Sequence, residues 1–325
     1  MNEEHLFQPD LGDVSASTNA SVIDPDTASN FSPDLGKTEK ETTVSFNTYV
    51  CSTCHTSFST LNPSVTNCIF CGGTSITKGE GESFSDCSYL PFIVTLDEAF
   101  ANYKKHIRMN PLVPFSFRGK KVKKKIRKAY IPCSLFNISV EGNITSYGAD
   151  KISKIKGAPM QTFESLYSTH FDYLNLLASN FSKIGDVVVS NINNYHFTTM
   201  VDFDSSIMSD SFILNGDVDK NQVTEKIQQK TIKNCVNIVR GNVNHNLKKL
   251  ADNNMAFGIS SATTLLIPVY FINFRYKGHE YLYIMNGQTE ETIIDVPTSA
   301  FNIILFCILF FLFIVLMGCL IIYFK

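Results

Sequence analysis

From Ala300 to Tyr323 the sequence reads AFNIILFCILFFLFIVLMGCLIIY, and no charged residue lies between Asp295 and Lys325. An α-helix needs about 20 residues to cross a hydrocarbon core of about 30 Å. A core helix of a soluble protein would keep a polar face over such a length, and this run has none. The run predicts one transmembrane helix within 298–325, which ties everything before it to a bilayer. Asn302 falls near one edge of the run, and Tyr323 and Lys325 at the other, where amphipathic side chains settle.

The side of the membrane follows from weaker signals. The chain opens Met-Asn-Glu-Glu-His, without the basic and apolar stretches of a secretory signal. Its nine cysteines are an odd number, and Cys307 and Cys319 lie inside the apolar run. That pattern fits a secreted disulfide framework poorly and a reducing compartment well. The expectation is a single-pass protein of the cell membrane, with a C-terminal tail anchor and the soluble N-terminal part in the cytoplasm.

Four cysteines stand in two pairs, Cys51-x-x-Cys54 and Cys68-x-x-Cys71, with thirteen residues between them. Each pair forms a knuckle that aims two sulfurs at one tetrahedral centre, and two knuckles at this spacing are the pattern of a four-cysteine zinc ribbon. Disulfides and an iron–sulfur cluster are the competing uses of the same residues. Four thiolates leave a bound Zn2+ no open position, so the expected role is structural. His55 adjoins Cys54, but four sulfurs already saturate the ion. Cys87, Cys133 and Cys235 have no partner at ligand spacing and read as small buried apolar groups.

Charge is unevenly spread. Residues 1–46 carry nine acids against Lys37 and Lys40, near −7, and leave the rest of the chain near +5. That composition predicts a disordered acidic tail. Within it Phe7-Gln8-Pro9-Asp10-Leu11-Gly12 recurs as Phe31-Ser32-Pro33-Asp34-Leu35-Gly36. The repeat makes Phe7, Leu11, Phe31 and Leu35 candidates for docking a protein partner, a tandem duplication without a role being the other reading. The opposite charge block is the run 118–128. There Arg118, Lys120, Lys121, Lys123, Lys124, Lys125, Arg127 and Lys128 stand without one acid. Such a run serves as a solvated loop, as a site for anionic lipid headgroups beside the membrane, as a nucleic-acid phosphate site, or as a site for acidic protein partners. It lacks the interleaved aromatics of a single-strand platform and a following recognition helix, so nucleic acid ranks below lipid.

The remaining pattern is α+β. Ser88–Val94 reads as a strand, and Thr95-Leu96-Asp97-Glu98 is a capping box opening a helix that ends at Asn110-Pro111. Ile131-Pro132-x4-Asn137-x4-Gly142-x4-Tyr147 matches Ile267-Pro268-x4-Asn273-x4-Gly278-x4-Tyr283, an internal repeat of 131–147 with 267–283. Each copy reads strand, two-residue turn (Glu141-Gly142, then Lys277-Gly278), strand. Helical stretches precede them, the second over roughly 219–250. Strand is expected at 185–203, and a three-stranded meander at 265–295 through Asn286-Gly287. The expected organisation is a tail over 1–46, a small β zinc ribbon over 47–76, an antiparallel-sheet α+β body of two related helix–hairpin units over 77–297, and the anchor over 298–325.

These pieces in this order resemble a known family. After the paired knuckles come Pro91-Phe92-Ile93-Val94, Leu96-Asp97-Glu98-Ala99, and Ala129-Tyr130-Ile131-Pro132-Cys133-Ser134-Leu135-Phe136. Leu266-Ile267-Pro268-Val269-Tyr270, Tyr276-Lys277-Gly278-His279-Glu280-Tyr281 and Met285-Asn286-Gly287-Gln288-Thr289 follow. Over roughly 50–297 the chain is similar to the bacterial TFIIB-type zinc-ribbon-containing membrane proteins, found largely in low-GC Gram-positive bacteria. It departs from them at Ser134 and Tyr270, where relatives carry tryptophan, and at Glu290, where they carry glycine. The resemblance implies a ribbon and an anchor, and no activity.

No phosphate-binding glycine loop, nucleophile–base pair or paired carboxylates can be assembled from the sequence. The expected function is therefore non-enzymatic. It is a membrane-tethered adaptor or scaffold that binds protein partners at the cytoplasmic face, its basic segment meeting anionic lipid, with no small-molecule substrate. A membrane-anchored nucleic-acid-binding or transcription-related regulator is the alternative.

Overall fold

The computed structural model describes residues 46–80, 84, 87–151, 160–204, 210–242 and 247–324. The acidic tail with its repeated Phe-x-Pro-Asp-Leu-Gly segments lies outside these residues. The fold is mixed α+β. In chain order it runs β1 (Asn47–Cys51), β2 (Ser57–Thr60), β3 (Ile76–Lys78), β4 (Cys87–Tyr89), α1 (Leu96–Met109) and two 3-10 turns (Phe115–Phe117, Lys120–Lys125). There follow β5 (Arg127–Lys151), β6 (Met160–Ser179), α2 (Gly185–Asn191), a 3-10 turn (Phe197–Thr199), β7 (Val201–Asp202), β8 (Phe212–Leu214) and α3 (Lys220–Asn242). The chain closes with β9 (Leu247–Tyr276), β10 (His279–Asn286), β11 (Thr292–Ile294) and α4 (Ala300–Tyr323).

One sheet joins these strands in the order β11-β10-β9-β5-β8-β2-β1-β3. It is mostly antiparallel, but β5 with β8 and β4 with β9 pair in parallel, so the all-antiparallel expectation needs that correction. Through the β2–β8 pairing the strands β1 to β3, among which the paired cysteines lie, continue the same sheet as the rest of the body.

The repeated Ile-Pro segments meet face to face, for Ile131 pairs with Ile267 across β5 and β9. Each proline marks where a long strand changes neighbour. On one side of β5, β8 pairs with Ala129 and Tyr130 and β6 takes over from Cys133. On the far side of β9, β4 pairs up to Leu266 and β10 from Val269. Pro132 and Pro268 fill those junctions, and their carbonyls accept from Asn180 N–H (3.0 Å) and Gly287 N–H (2.9 Å). A residue's N–H and C=O point to the same side of a strand, so the hydrogen that proline lacks would face a gap between partners.

Beyond that point the two copies diverge. Lys277 and Gly278 form the turn between β9 and β10, with φ of 51° and 84°. Glu141-Gly142 is not a turn: β5 runs straight through it, with Gly142 paired to Thr169 on one side and Met255 on the other. A Cβ at Gly142 would stand 2.1 Å from the Asn254 carbonyl oxygen, so the glycine serves close approach of the β9 backbone. The expected strand at 185–203 is mostly α2 and a 3-10 turn, because the helical turn puts Val188 and Ile192 together in the core. The helix expected over roughly 219–250 ends at Asn242, and β9 begins at Leu247.

The β9–β10–β11 meander and the capping box are present as expected. Thr95 Oγ1 accepts from Glu98 N–H at 3.3 Å, and the Glu98 carboxylate accepts from Thr95 N–H at 2.8 Å. The Thr95 N–H and hydroxyl, both donating to the carboxylate at 2.8 Å, hold Glu98 below the usual carboxylate range. Ala99, Tyr103 and Ile107 bury one face of α1 against the β9–β10 hairpin, with Tyr103 edge-on to Tyr283 at 5.2 Å. On the long β5–β6–β9 arm, α3 lays Val223, Ile227 and Cys235 over Phe136, Ile138 and Val140. Finally, α4 is a single 24-residue helix, long and apolar enough to cross a membrane, and its lateral surface is exposed almost throughout.

Candidate metal centre

Cys51 ends β1, and the chain turns so tightly after it that His55 takes φ 57°, its N–H donating to the Cys51 carbonyl at 2.8 Å. The second knuckle closes in the same manner: Gly72 N–H donates to the Cys68 carbonyl at 2.9 Å, with Gly72 at φ 74°. The two turns bring the Sγ atoms of Cys51, Cys54, Cys68 and Cys71 within 4.8 Å of one another. Cys51 and Cys71 stand 3.6 Å apart, and Cys54 and Cys68 3.7 Å. A disulfide needs about 2.05 Å. A tetrahedral ion with metal–sulfur bonds of about 2.3 Å spaces its sulfurs about 3.8 Å apart. The four sulfurs fit the second arrangement and can hold a metal ion.

The electrostatics of the site are divided. Burial pushes the Cys51 thiol up, but the N–H groups of Cys54 and Thr53 and the neighbouring thiols outweigh it and bring it down to about 6. Burial holds Cys68 and Cys71 above the ordinary thiol range. Gly73 N–H points to Cys71 Sγ at 3.4 Å, and a Cβ on Gly73 would press within 3.3 Å of that sulfur. His55 is exposed and takes no part in the cluster.

Three neighbours of the centre carry no signal in the sequence. Lys183, between β6 and α2, donates its ammonium to the Cys54 carbonyl and to Thr56 Oγ1 (2.6 Å), placing a positive charge beside the cluster. Ile69 and Phe70, the two residues inside the second knuckle, are buried in the body core. Phe70 lies against Phe271 at 5.9 Å and Phe181 at 6.2 Å. Cys87, Cys133 and Cys235 are buried and are not members of the four-sulfur cluster.

The Asn-Gly-Gln-Thr turn after β10 is a clasp rather than a binding site. Asn286 is fully buried, its Nδ2 donating to the carbonyls of Ile192 (3.1 Å) and Asn194 (3.3 Å) while its Oδ1 accepts from Gln288 N–H at 2.8 Å. Gln288 donates to the Pro91 carbonyl and Thr199 Oγ1, both at 3.0 Å, and accepts from His196 N–H at 2.9 Å. The Gly287 carbonyl takes the N–H groups of Ile93 and Val94. Two separate segments, 91–94 and 192–199, are thus tied to one turn, and the side-chain amides of Asn286 and Gln288 are consumed internally.

The basic run forms a 3-10 turn in which Val122 and Ile126 are buried and Lys120, Lys121, Lys124 and Lys125 point outward. Lys123 pairs with Asp97. Arg118 donates to the Pro111 carbonyl at 2.8 Å and lies over the Phe115 ring at 5.3 Å, and Lys128 lies over Phe92 at 4.6 Å. The start of α4 docks just before this run: Ser299 N–H donates to the Leu112 carbonyl at 2.9 Å, and Asn302 Nδ2 to the Val113 carbonyl at 2.6 Å.

No family model matches the chain. No solved structure matches it either. Among curated proteins it is similar to the "Uncharacterized protein YdjG" of Bacillus subtilis (strain 168), with 20% identity over 215 residues. Those residues are 65% of this chain and 63% of that protein, so the chain spans less than two thirds of its relative's length.

Proposed function

We propose that the protein is a membrane-tethered zinc-ribbon adaptor, with no catalytic activity of its own. The observation that carries this is the closed four-sulfur cluster, built into the same sheet as a body whose far end is a 24-residue apolar helix. A centre with four thiolates and no free position supplies rigidity, not chemistry. Zn2+ held by Cys51, Cys54, Cys68 and Cys71 fixes the two knuckles, and α4 anchors the body at the cytoplasmic face of the cell membrane. The Phe-x-Pro-Asp-Leu-Gly segments of the tail supply the docking motifs for a protein partner. The 118–128 run meets anionic lipid.

The test has two arms. Elemental analysis of the purified chain is expected to give one zinc per chain, lost in the Cys51→Ser, Cys71→Ser double variant. Deletion of 298–325 is expected to move the protein from the membrane to the soluble fraction. Zinc-free wild type, or membrane association of the deletion at high salt, overturns the corresponding half.

A further inference from the structure

Between Glu98 and Glu141 the chain contains no acid, and between Lys104 and Lys128 it holds eleven Lys and Arg. The structure gives this charge a place. Lys104, Lys105 and Arg108 lie on the exposed face of α1, opposite the buried Ala99, Tyr103 and Ile107. The chain then forms the loop that receives the first turn of α4, and the 118–128 run follows directly. Asn302 is only 4% exposed, so helix and loop are joined through a buried polar contact. If α4 crosses a bilayer, its start marks the hydrocarbon boundary, and Leu112 and Val113 sit at that depth. Two large apolar side chains flank this point in the open, Met109 at 71% and Phe115 at 60% exposure.

We propose that the C-terminal half of α1, the 110–117 loop and the 118–128 run form one docking surface for an anionic lipid leaflet, with Phe115 inserted among the headgroups. The proposal rests on the reading of α4 as a transmembrane helix and adds to it a fixed posture of the body on the membrane. Continuity with the helix selects the partner. Cations within a Debye length of an anionic leaflet are attracted to it, and an aromatic ring beside a guanidinium is suited to headgroup depth. Arg118 over Phe115 supplies that pair. Nucleic acid is disfavoured, because a duplex on this surface would have to displace the lipid packed around the start of α4.

The chain has no tryptophan, so Phe115→Trp in the full-length protein is a single reporter. It is reconstituted into phosphatidylcholine vesicles with and without phosphatidylglycerol, using lipids brominated near the headgroup as quenchers. Leu166→Trp, at an exposed site of β6, is the control. The expected result is strong quenching at 115, enhanced by phosphatidylglycerol, and none at 166. Lys120→Gln, Lys121→Gln and Lys124→Gln together are expected to remove about a quarter of the enhancement, since each cation contributes separately. Carbonate extraction reports on α4 independently. Equal quenching at 115 and 166 in protein that resists extraction overturns the docking surface and leaves the anchor standing. Extraction of the protein overturns both. Quenching at 115 that ignores lipid charge, with duplex DNA binding that the triple variant abolishes, assigns the surface to nucleic acid and overturns the proposal.

Discussion

The side-chain amide of Asn302 donates to the Val113 carbonyl across 2.6 Å, so the polar residue in the first turn of the apolar helix is committed to the body. Asn302→Leu leaves that carbonyl without its donor at a buried site, at a cost of about 1–3 kcal/mol. The helix is expected to integrate as before, because its apolar length is unchanged. The junction is expected to open more often, and limited proteolysis of the membrane-bound protein should cut within 108–121 about tenfold faster than in wild type. Unchanged cleavage would show that Ser299 alone holds the joint.

Removing the metal is expected to weaken more than the knuckles. Phe70 reaches from the second knuckle to Phe181 and Phe271, and β2 pairs with β8, so the centre and the body share one core. Thermal unfolding in detergent after chelation should remain one transition, lower by roughly 10 °C. Phe70→Ala is expected to cost about 3 kcal/mol while the four ligands remain. A local transition of 47–76 with an unshifted main transition would refute the shared core.

Glu290 occupies φ 60°, in the left-handed region, where the resembled family has glycine. The contacts at this position go through its backbone, since its carbonyl accepts from Asn102 Nδ2 (3.3 Å) and Thr292 Oγ1 (2.8 Å). Glu290→Gly keeps both bonds and relieves a conformation that costs an L-residue about 1 kcal/mol. Denaturant unfolding should show a gain of about that size, reduced by the greater freedom of glycine in the unfolded chain.

The two glycines of the internal repeat are expected to respond differently to alanine. At Gly278, with nothing within 4 Å of the added Cβ, only the turn conformation is strained, for a loss of about 1 kcal/mol. At Gly142 the Cβ meets the Asn254 carbonyl oxygen and the Met255 backbone, so β9 must move away along the arm. The loss there is expected to exceed about 3 kcal/mol, seen as lower unfolding stability and faster amide exchange around 254–256.

What the sequence determined by itself is what near neighbours in the chain decide. The knuckle spacing of Cys51 to Cys71, the Thr95–Glu98 box, the Lys277-Gly278 turn and the apolar run each depend on residues a few positions apart or on simple length. What the tertiary structure decided is what depends on a distant partner. Glu141-Gly142 and Lys277-Gly278 look alike in sequence because a turn and a close backbone approach both require a missing Cβ. Only the passage of β9 beside residue 142 tells them apart. The valines of α2 have the local character of a strand, yet burial of Val188 and Ile192 on one helical face outweighs it. The contact of Lys183 with Cys54, across 129 positions, and the gathering of α1, the basic run and the start of α4 at one end have no local signature at all. Packing in three dimensions creates them, because side chains remote along the chain meet only after the sheet has formed.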